Sequence, residues 1–340
     1  MKDIKYLLAY IVPALTFIAL INKGLWSYAT FIFAFGFVPI LDTILGENNE
    51  NHSEIEKETR LSQGLFDLLL YVNVPLLYGA VIYYIHQIST TQLETYEILG
   101  LVLSMGTMMG GLGINVAHEL GHKKELHKRL MSQLMLLPSL YMHFTMEHNL
   151  GHHKNVATPI DPATSRKGEN VYFFWFRSIT GTYANAWRLQ MKLLEKQGKG
   201  FFGLANKQLI VLIIQVLFLL FLFSVGGLSV LIIYTATALT SVILLETINY
   251  IEHYGLVRKK LDSGKYERVL PIHSWNSDHE MGRILLYELT RHSDHHYLAN
   301  KKYQVLDSHS DAKQLPFGYP ACMLLSLLPP VWYKVMDARI

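Results

Sequence analysis

Residues 207–253 read KQLIVLIIQVLFLLFLFSVGGLSVLIIYTATALTSVILLETINYIEH. A membrane-spanning helix needs about 20 mostly apolar residues. This stretch holds two such lengths, 207–226 and 228–250, with Gly226-Gly227 as a very short turn between them. The runs are almost free of charge, and His253 stands at the foot of the second with Glu252 beside it.

Working outward, four more runs have the same character: 5–22, 25–46, 64–86 and 95–117. The first two are joined by the short turn Asn22-Lys23-Gly24, so the runs pair as hairpins. Hydrophobic residues make up 51% of the chain and charged residues 17%, below the globular norm of about 25%. The predicted fold is an all-α membrane protein with six transmembrane helices and a helical cap, forming one domain over 1–340. The apolar N-terminal stretch lacks a clear small-residue cleavage site and reads as an uncleaved first span. Residues 130–144 are apolar but short and carry Pro138 and His143, which suits a buried or re-entrant helix. The aromatic-rich stretches 171–176 and 317–336 read as interfacial. Gly106, Gly110, Gly111 and Gly113 in the fourth run suggest close helix packing.

Lys and Arg distribution sets the orientation. With the N-terminus in the cytoplasm, the outer turns hold only Lys23, while Lys57, Arg60, Lys123, Lys124, Lys128, Arg129, Arg258 and Lys259 all lie inside. Spans ending at 117 and 250, and one starting at 207, then place segments 118–206 and 251–340 on the cytoplasmic side.

Those segments hold fourteen of the sixteen histidines, nine of them in four motifs: His118 and His122 in HELGH; His148, His152 and His153 in EHNLGHH; His253 in NYIEHYGL; and His292, His295 and His296 in RHSDHH. Imidazole is the commonest metal ligand. Helical spacing of i,i+4 and i,i+3,i+4 turns each set toward one side. Nine imidazoles exceed one metal, and two four-coordinate zincs would leave one over. Two higher-coordinate ions fit, with a membrane di-iron centre as the natural candidate. HELGH alone matches a zinc-protease motif, but such a site has no use for seven further clustered histidines. The remaining seven, His52, His86, His127, His143, His273, His279 and His309, are read as non-ligands. A metal transporter would carry ionisable residues midway through its spans, which these spans lack.

Glu119, Glu252 and Asp294 are interleaved with the ligands, as are Glu147 and Asn149. Metal-bound histidines commonly donate their second N–H to such groups, so Glu119, Glu252 and Asp294 are candidates for supporting or proton-donating roles. The basic residues Lys123, Lys124, Lys128, Arg129, Arg166 and Lys167 suit topology and lipid headgroups, or docking of an acidic electron carrier. The single cysteine, Cys322, excludes an iron–sulfur cluster or a four-cysteine rubredoxin site within this chain.

HELGHKK, EHNLGHHKNVATPIDPATS, NYIEHYGL, HSWNS and LTRHSDHH, with PILD at 39–42 and FGYP at 317–320, closely resemble the motifs of the bacterial integral-membrane alkane 1-monooxygenases. The resemblance covers nearly the whole chain. It implies a multi-pass protein of the bacterial cytoplasmic (inner) membrane. It also implies two iron ions held by the nine histidines, with O2 as co-substrate and no haem or bound flavin. The implied reaction is terminal hydroxylation of n-alkanes, with electrons from a separate rubredoxin and an NAD(P)H-dependent rubredoxin reductase. No nucleic-acid partner is implied. Related membrane di-iron enzymes, the xylene-type aryl-methyl hydroxylases and the fatty-acid desaturases and hydroxylases, share the histidine pattern and form the alternative. An alkane offers no polar handle, so a narrow apolar channel must position its end. Phe31, Ala34 and Gly36 in the aromatic-rich second span are candidate channel residues.

Overall fold

The computed structural model describes residues 2–340. Its long helices are α1 (Asp3–Asn22), α2 (Gly24–Leu45), α3 (Leu65–Thr90), α4 (Thr95–Gly121), α5 (Val171–Lys196) and α6 (Lys207–His253). All but α5 are long and apolar enough to cross a membrane. Two two-residue strands, Trp275–Asn276 and Lys313–Gln314, pair in parallel in the cap.

The helix α6 is broken at Gly226 (φ −153°, ψ 23°) and Gly227 (φ 64°, ψ −153°). The rings of Phe218 and Tyr234 lie 5.4 Å apart. Sixteen residues of straight helix would separate them by about 24 Å, so the two arms fold back on each other. Gly227 supplies the left-handed backbone that the reversal needs. Leu217, Leu220, Phe221, Phe223, Leu228 and Ile232 on these arms are exposed, as a lipid-facing surface requires. The chain is a multi-pass membrane protein.

Most of α4 is buried, and glycine explains how. A Cβ at Gly106 would lie 2.6 Å from Thr240 Cγ2 on α6, and one at Gly110 would lie 3.0 Å from the Ser241 carbonyl. Gly113 faces Leu77 of α3, whereas Gly111 faces open space. Close packing therefore accounts for three of these four glycines. Tyr84 and Thr237 hydrogen-bond at 2.6 Å between α3 and α6. Residues 33–37, 109–114 and 148–152 are π-helical. That local rewinding is frequent at functional sites because it re-aims the side chains that follow.

The apolar run at 130–144 is a helix over Leu126–Leu136, then turns, then a short helix Phe144–Glu147. The cap is tied to the N-terminal part of the chain by hydrogen bonds built on buried charged groups. Arg283 Nε meets Glu288 at 2.6 Å, and Glu288 also accepts from Tyr6 at 2.5 Å. Arg291 donates to the carbonyls of Leu306, Asn48 and Glu50. Asp42 of the PILD stretch accepts from the Gly282 N–H at 3.0 Å, and its carboxylate fills the place a Cβ on Gly318 would occupy. PILD and FGYP, far apart in sequence, thus form one latch.

Gly106→Ala is expected to destabilise the protein by about 1–3 kcal/mol through overpacking, while Gly111→Ala should stay within about 0.5 kcal/mol. Thermal denaturation in detergent compares the two directly.

Candidate metal centre

The four histidine motifs sit on the cap-side ends of α4 and α6 and on two cap segments. His118 lies within α4, with His122 following its end, and His253 closes α6. His148 and His152 flank the π-helical turn, with His153 next. His292, His295 and His296 belong to one short helix, His292–Tyr297.

The nine converge as two groups. His118, His122, His148, His153 and His295 form one; His152, His253, His292 and His296 form the other. Within each group the ligand atoms lie within 4.8 Å of one another. Two of the sequence motifs, EHNLGHH and RHSDHH, are split between the groups, while both histidines of HELGH stay in one. Successive residues on a helix point about 100° apart, so His152 and His153 face different centres, as do His295 and His296.

The spacing suits metal. Nε2 of His118 and His122 are 3.2 Å apart, those of His148 and His153 3.0 Å, His153 and His295 3.1 Å, and His253 and His292 3.3 Å. Imidazoles bound at about 2.1 Å to one ion have nitrogens roughly 3 Å apart. Several ring nitrogens are buried with no hydrogen-bond partner: Nε2 of His152, Nδ1 of His153, His253 and His292, and both nitrogens of His296. Such orphaned groups are costly, and coordination would satisfy those that face an ion.

Burial first, and then the charge of neighbouring imidazoles, holds His148, His153, His292, His295 and His296 well below the ordinary imidazole range. These rings are neutral near pH 7, the form that binds metal. His152 goes the other way. Burial opposes its charge, but the carboxylates around it, Asp161 first and then Glu147 and Glu246, together raise it.

Asp161 accepts from His152 Nδ1 at 2.8 Å, and both side chains are buried. Sequence reading missed this partner. Its signal was the confined setting Pro159-Ile160-Asp161-Pro162. Glu252 reaches His292 Nε2 at 3.1 Å and is held by the Tyr319 hydroxyl at 2.8 Å. Two further interleaved acids, Glu119 and Asp294, turn away from the nine histidines. Glu119 pairs with Lys123 at 2.6 Å and accepts from the Tyr303 N–H. Asp294 meets Lys301 at 2.6 Å and His309 at 2.8 Å. Both acids fasten the segment 298–309 to the centre. The seven histidines set aside from the sequence fall outside both groups; His273 instead contacts Glu267 and the Leu270 N–H.

The basic residues divide. Lys123 and Lys128 are buried in ion pairs with Glu119 and Asp67, so neither is free to receive a docking partner. Lys124, Arg129, Arg166 and Lys167 are exposed. Of the channel candidates, Phe31 lines an apolar cavity of about 270 Å³ with Phe35, Leu103, Trp175, Leu244 and others. Gly36 is exposed, and neither it nor Ala34 lines that cavity. A second, small cavity of about 20 Å³ lies between the two histidine groups, bounded by His118, His148, His292, Glu252, Gly110 and Asn249, among others.

Residues 96–325 match the model of the fatty acid desaturase family. The chain is 40% identical to alkane 1-monooxygenase 1 of Alcanivorax borkumensis, covering 93% of this chain and 78% of that protein. It is 39% identical to an alkane 1-monooxygenase of Pseudomonas putida, over 90% of this chain and 76% of the relative. Identity to the xylene/toluene monooxygenase hydroxylase component of Pseudomonas putida is 27%, over 96% and 86%. The chain belongs to the alkane 1-monooxygenases, within the wider fatty acid desaturase family.

The lowered histidines bind no proton in the fold at pH 6, whereas the unfolded chain does below about pH 6.5. Metal-free protein should therefore lose stability as pH falls from 7 to 5. His152, being raised, works against this but is one group against five. Melting temperatures of chelated protein across this range check the sign.

Proposed function

We propose that this protein hydroxylates the terminal carbon of n-alkanes with O2 at a di-iron centre held by the nine histidines. The observation that carries the reading is the five-plus-four convergence of nine imidazoles from the cap-side ends of α4 and α6 and from two cap segments. Imidazole accepts several metals; iron would supply the redox chemistry that activates O2 and oxidises an unactivated C–H bond.

The chain's own residues do the rest. Asp161 fixes the ring orientation of His152, and Glu252, anchored by Tyr319, faces the small cavity. The 270 Å³ cavity is almost wholly apolar and suits an alkane, whose every buried CH2 contributes about 0.8 kcal/mol. Leu244 lines it, and the Gly110 Cβ position on the wall of the inner cavity lies 3.4 Å from Leu244 Cβ. Leu244 is therefore the partition a chain end must pass. End-on positioning, and not C–H reactivity, then selects the terminal carbon. The two arms of α6 complete six spans, and Lys/Arg asymmetry supports a cytoplasmic cap in the bacterial inner membrane. Electrons come from a separate rubredoxin and its NAD(P)H-dependent reductase, steered by exposed Lys124, Arg129, Arg166 and Lys167.

Membranes supplied with rubredoxin, reductase and NADH should convert octane and hexadecane to 1-alcohols, with about two irons per chain. Iron-loaded protein that oxidises xylene but neither alkane would replace this reading with aryl-methyl hydroxylation. Leu103→Trp, which fills the apolar cavity, is expected to shift the products toward shorter alkanes at unchanged iron content. An unaltered chain-length profile would remove that cavity from the substrate path.

A further inference from the structure

Glu246 is a buried acid on α6, 1% exposed, for which binding and positioning give no role. Its Oε1 accepts from the Tyr141 hydroxyl at 2.8 Å; its Oε2 accepts from Ser178 Oγ at 2.6 Å and Asn249 Nδ2 at 3.2 Å. All three partners are neutral, and none is one of the nine histidines. A buried carboxylate without a cation is costly. The hydroxyls of Tyr141 and Ser178 can each turn from donor to acceptor. The network therefore keeps its hydrogen bonds whether or not Glu246 carries a proton.

Glu246 also lines a polar cavity of about 10 Å³ with Tyr141, His143, Glu147, Thr182 and Asn249, a size on the order of one water. Asn249 and His148 belong to the walls of both this cavity and the cavity between the histidine groups. On the far side, the His143 ring lies 4.3 Å from Tyr141 and 5.1 Å from Tyr183, which is 39% exposed. His143 Nε2 is buried without a partner. Groups that carry exchangeable protons thus line up from the surface at Tyr183, through His143 and Tyr141, to Glu246 and the edge of the metal cavity; Tyr141 and Glu246 are hydrogen-bonded, and His143 is in ring contact with both tyrosines. The other cavity near α6, the apolar one, is lined by no titratable side chain. The other titratable groups facing Glu246 are Glu147, and His152 with Asp161 behind it.

Resting on the monooxygenase reading, the reaction consumes RH, O2, two electrons and two protons, and gives ROH and water. One oxygen atom enters the C–H bond. The other leaves as water, taking both protons and the two electrons from the external one-electron carrier. We propose that Glu246 is the internal relay that passes those protons from the Tyr141–His143 side to the metal cavity.

The test uses the full chain in membranes with its electron donors, as wild type, Glu246→Gln and Glu246→Asp. Three readouts are taken: iron per chain, alcohol formed per NADH in H2O and D2O, and the infrared carboxyl band of zinc-loaded protein. The expected result for Glu246→Gln is wild-type iron content, alcohol formation down about a hundredfold, a larger solvent isotope effect, and loss of a D2O-sensitive protonated-carboxyl band. Glu246→Asp should restore part of the rate and the band. Wild-type turnover and isotope effect in Glu246→Gln would overturn the relay, as would lost activity that tracks lost iron in both variants. If wild-type protein holds iron but makes no alcohol, the monooxygenase reading fails. The carboxyl band then still decides the relay, and its absence from wild type would overturn it.

Discussion

Nine imidazoles clustered in one place, seven of them buried and two half-buried, are the constraint on which the rest of this structure depends. Each neutral ring brings a lone pair into an environment with little water and few donors. Leaving such a group unpaired costs about 1–3 kcal/mol, and several are unpaired among the described residues. Burial holds His148, His153, His292, His295 and His296 below the ordinary imidazole range, so protonation offers those rings no escape near neutral pH; His152, beside Asp161, is the exception. Cations of higher coordination relieve the cost for every ring that faces them, which makes metal binding and folding of the cap one problem.

Much of the cap serves that cluster. Asp161 and Glu252 reach the rings directly, from a proline-bounded loop and from the end of α6. Glu119 and Asp294 act at one remove, pinning the 298–309 segment through Tyr303, Lys301 and His309. Arg283 and Arg291, with Glu288, fasten the RHSDHH region to the N-terminal segments. Their charges are compensated by carboxylates and carbonyls, as burial requires.

One stretch of α6 organises the chemistry around the cluster. Ile243, Leu244 and Thr247 face the apolar cavity; Leu245, Ile248 and Glu252 face the space between the histidine groups; Glu246 faces the polar cavity, and Asn249 faces both of the latter. A helix turns about 100° per residue, so three different environments can meet along about three turns. Under the proposed function, substrate, metals and protons would each have a separate approach.

The sequence by itself determined the helical membrane class, the places of the apolar runs to within a few residues, the Gly226-Gly227 reversal and the identity of the nine clustering histidines. These depend on local quantities: length of apolar runs, spacing along a helix, and the backbone freedom of glycine. Only the tertiary structure decided how the histidines divide, that Asp161 and not Glu119 or Asp294 supports a ring, that Lys123 and Lys128 are consumed in ion pairs, and that Phe31 but not Ala34 or Gly36 borders the cavity. Each of those depends on which distant segments meet. Adjacent histidines such as His152 and His153 look alike in a motif, and only the packing of four segments around them sends one ring to each centre.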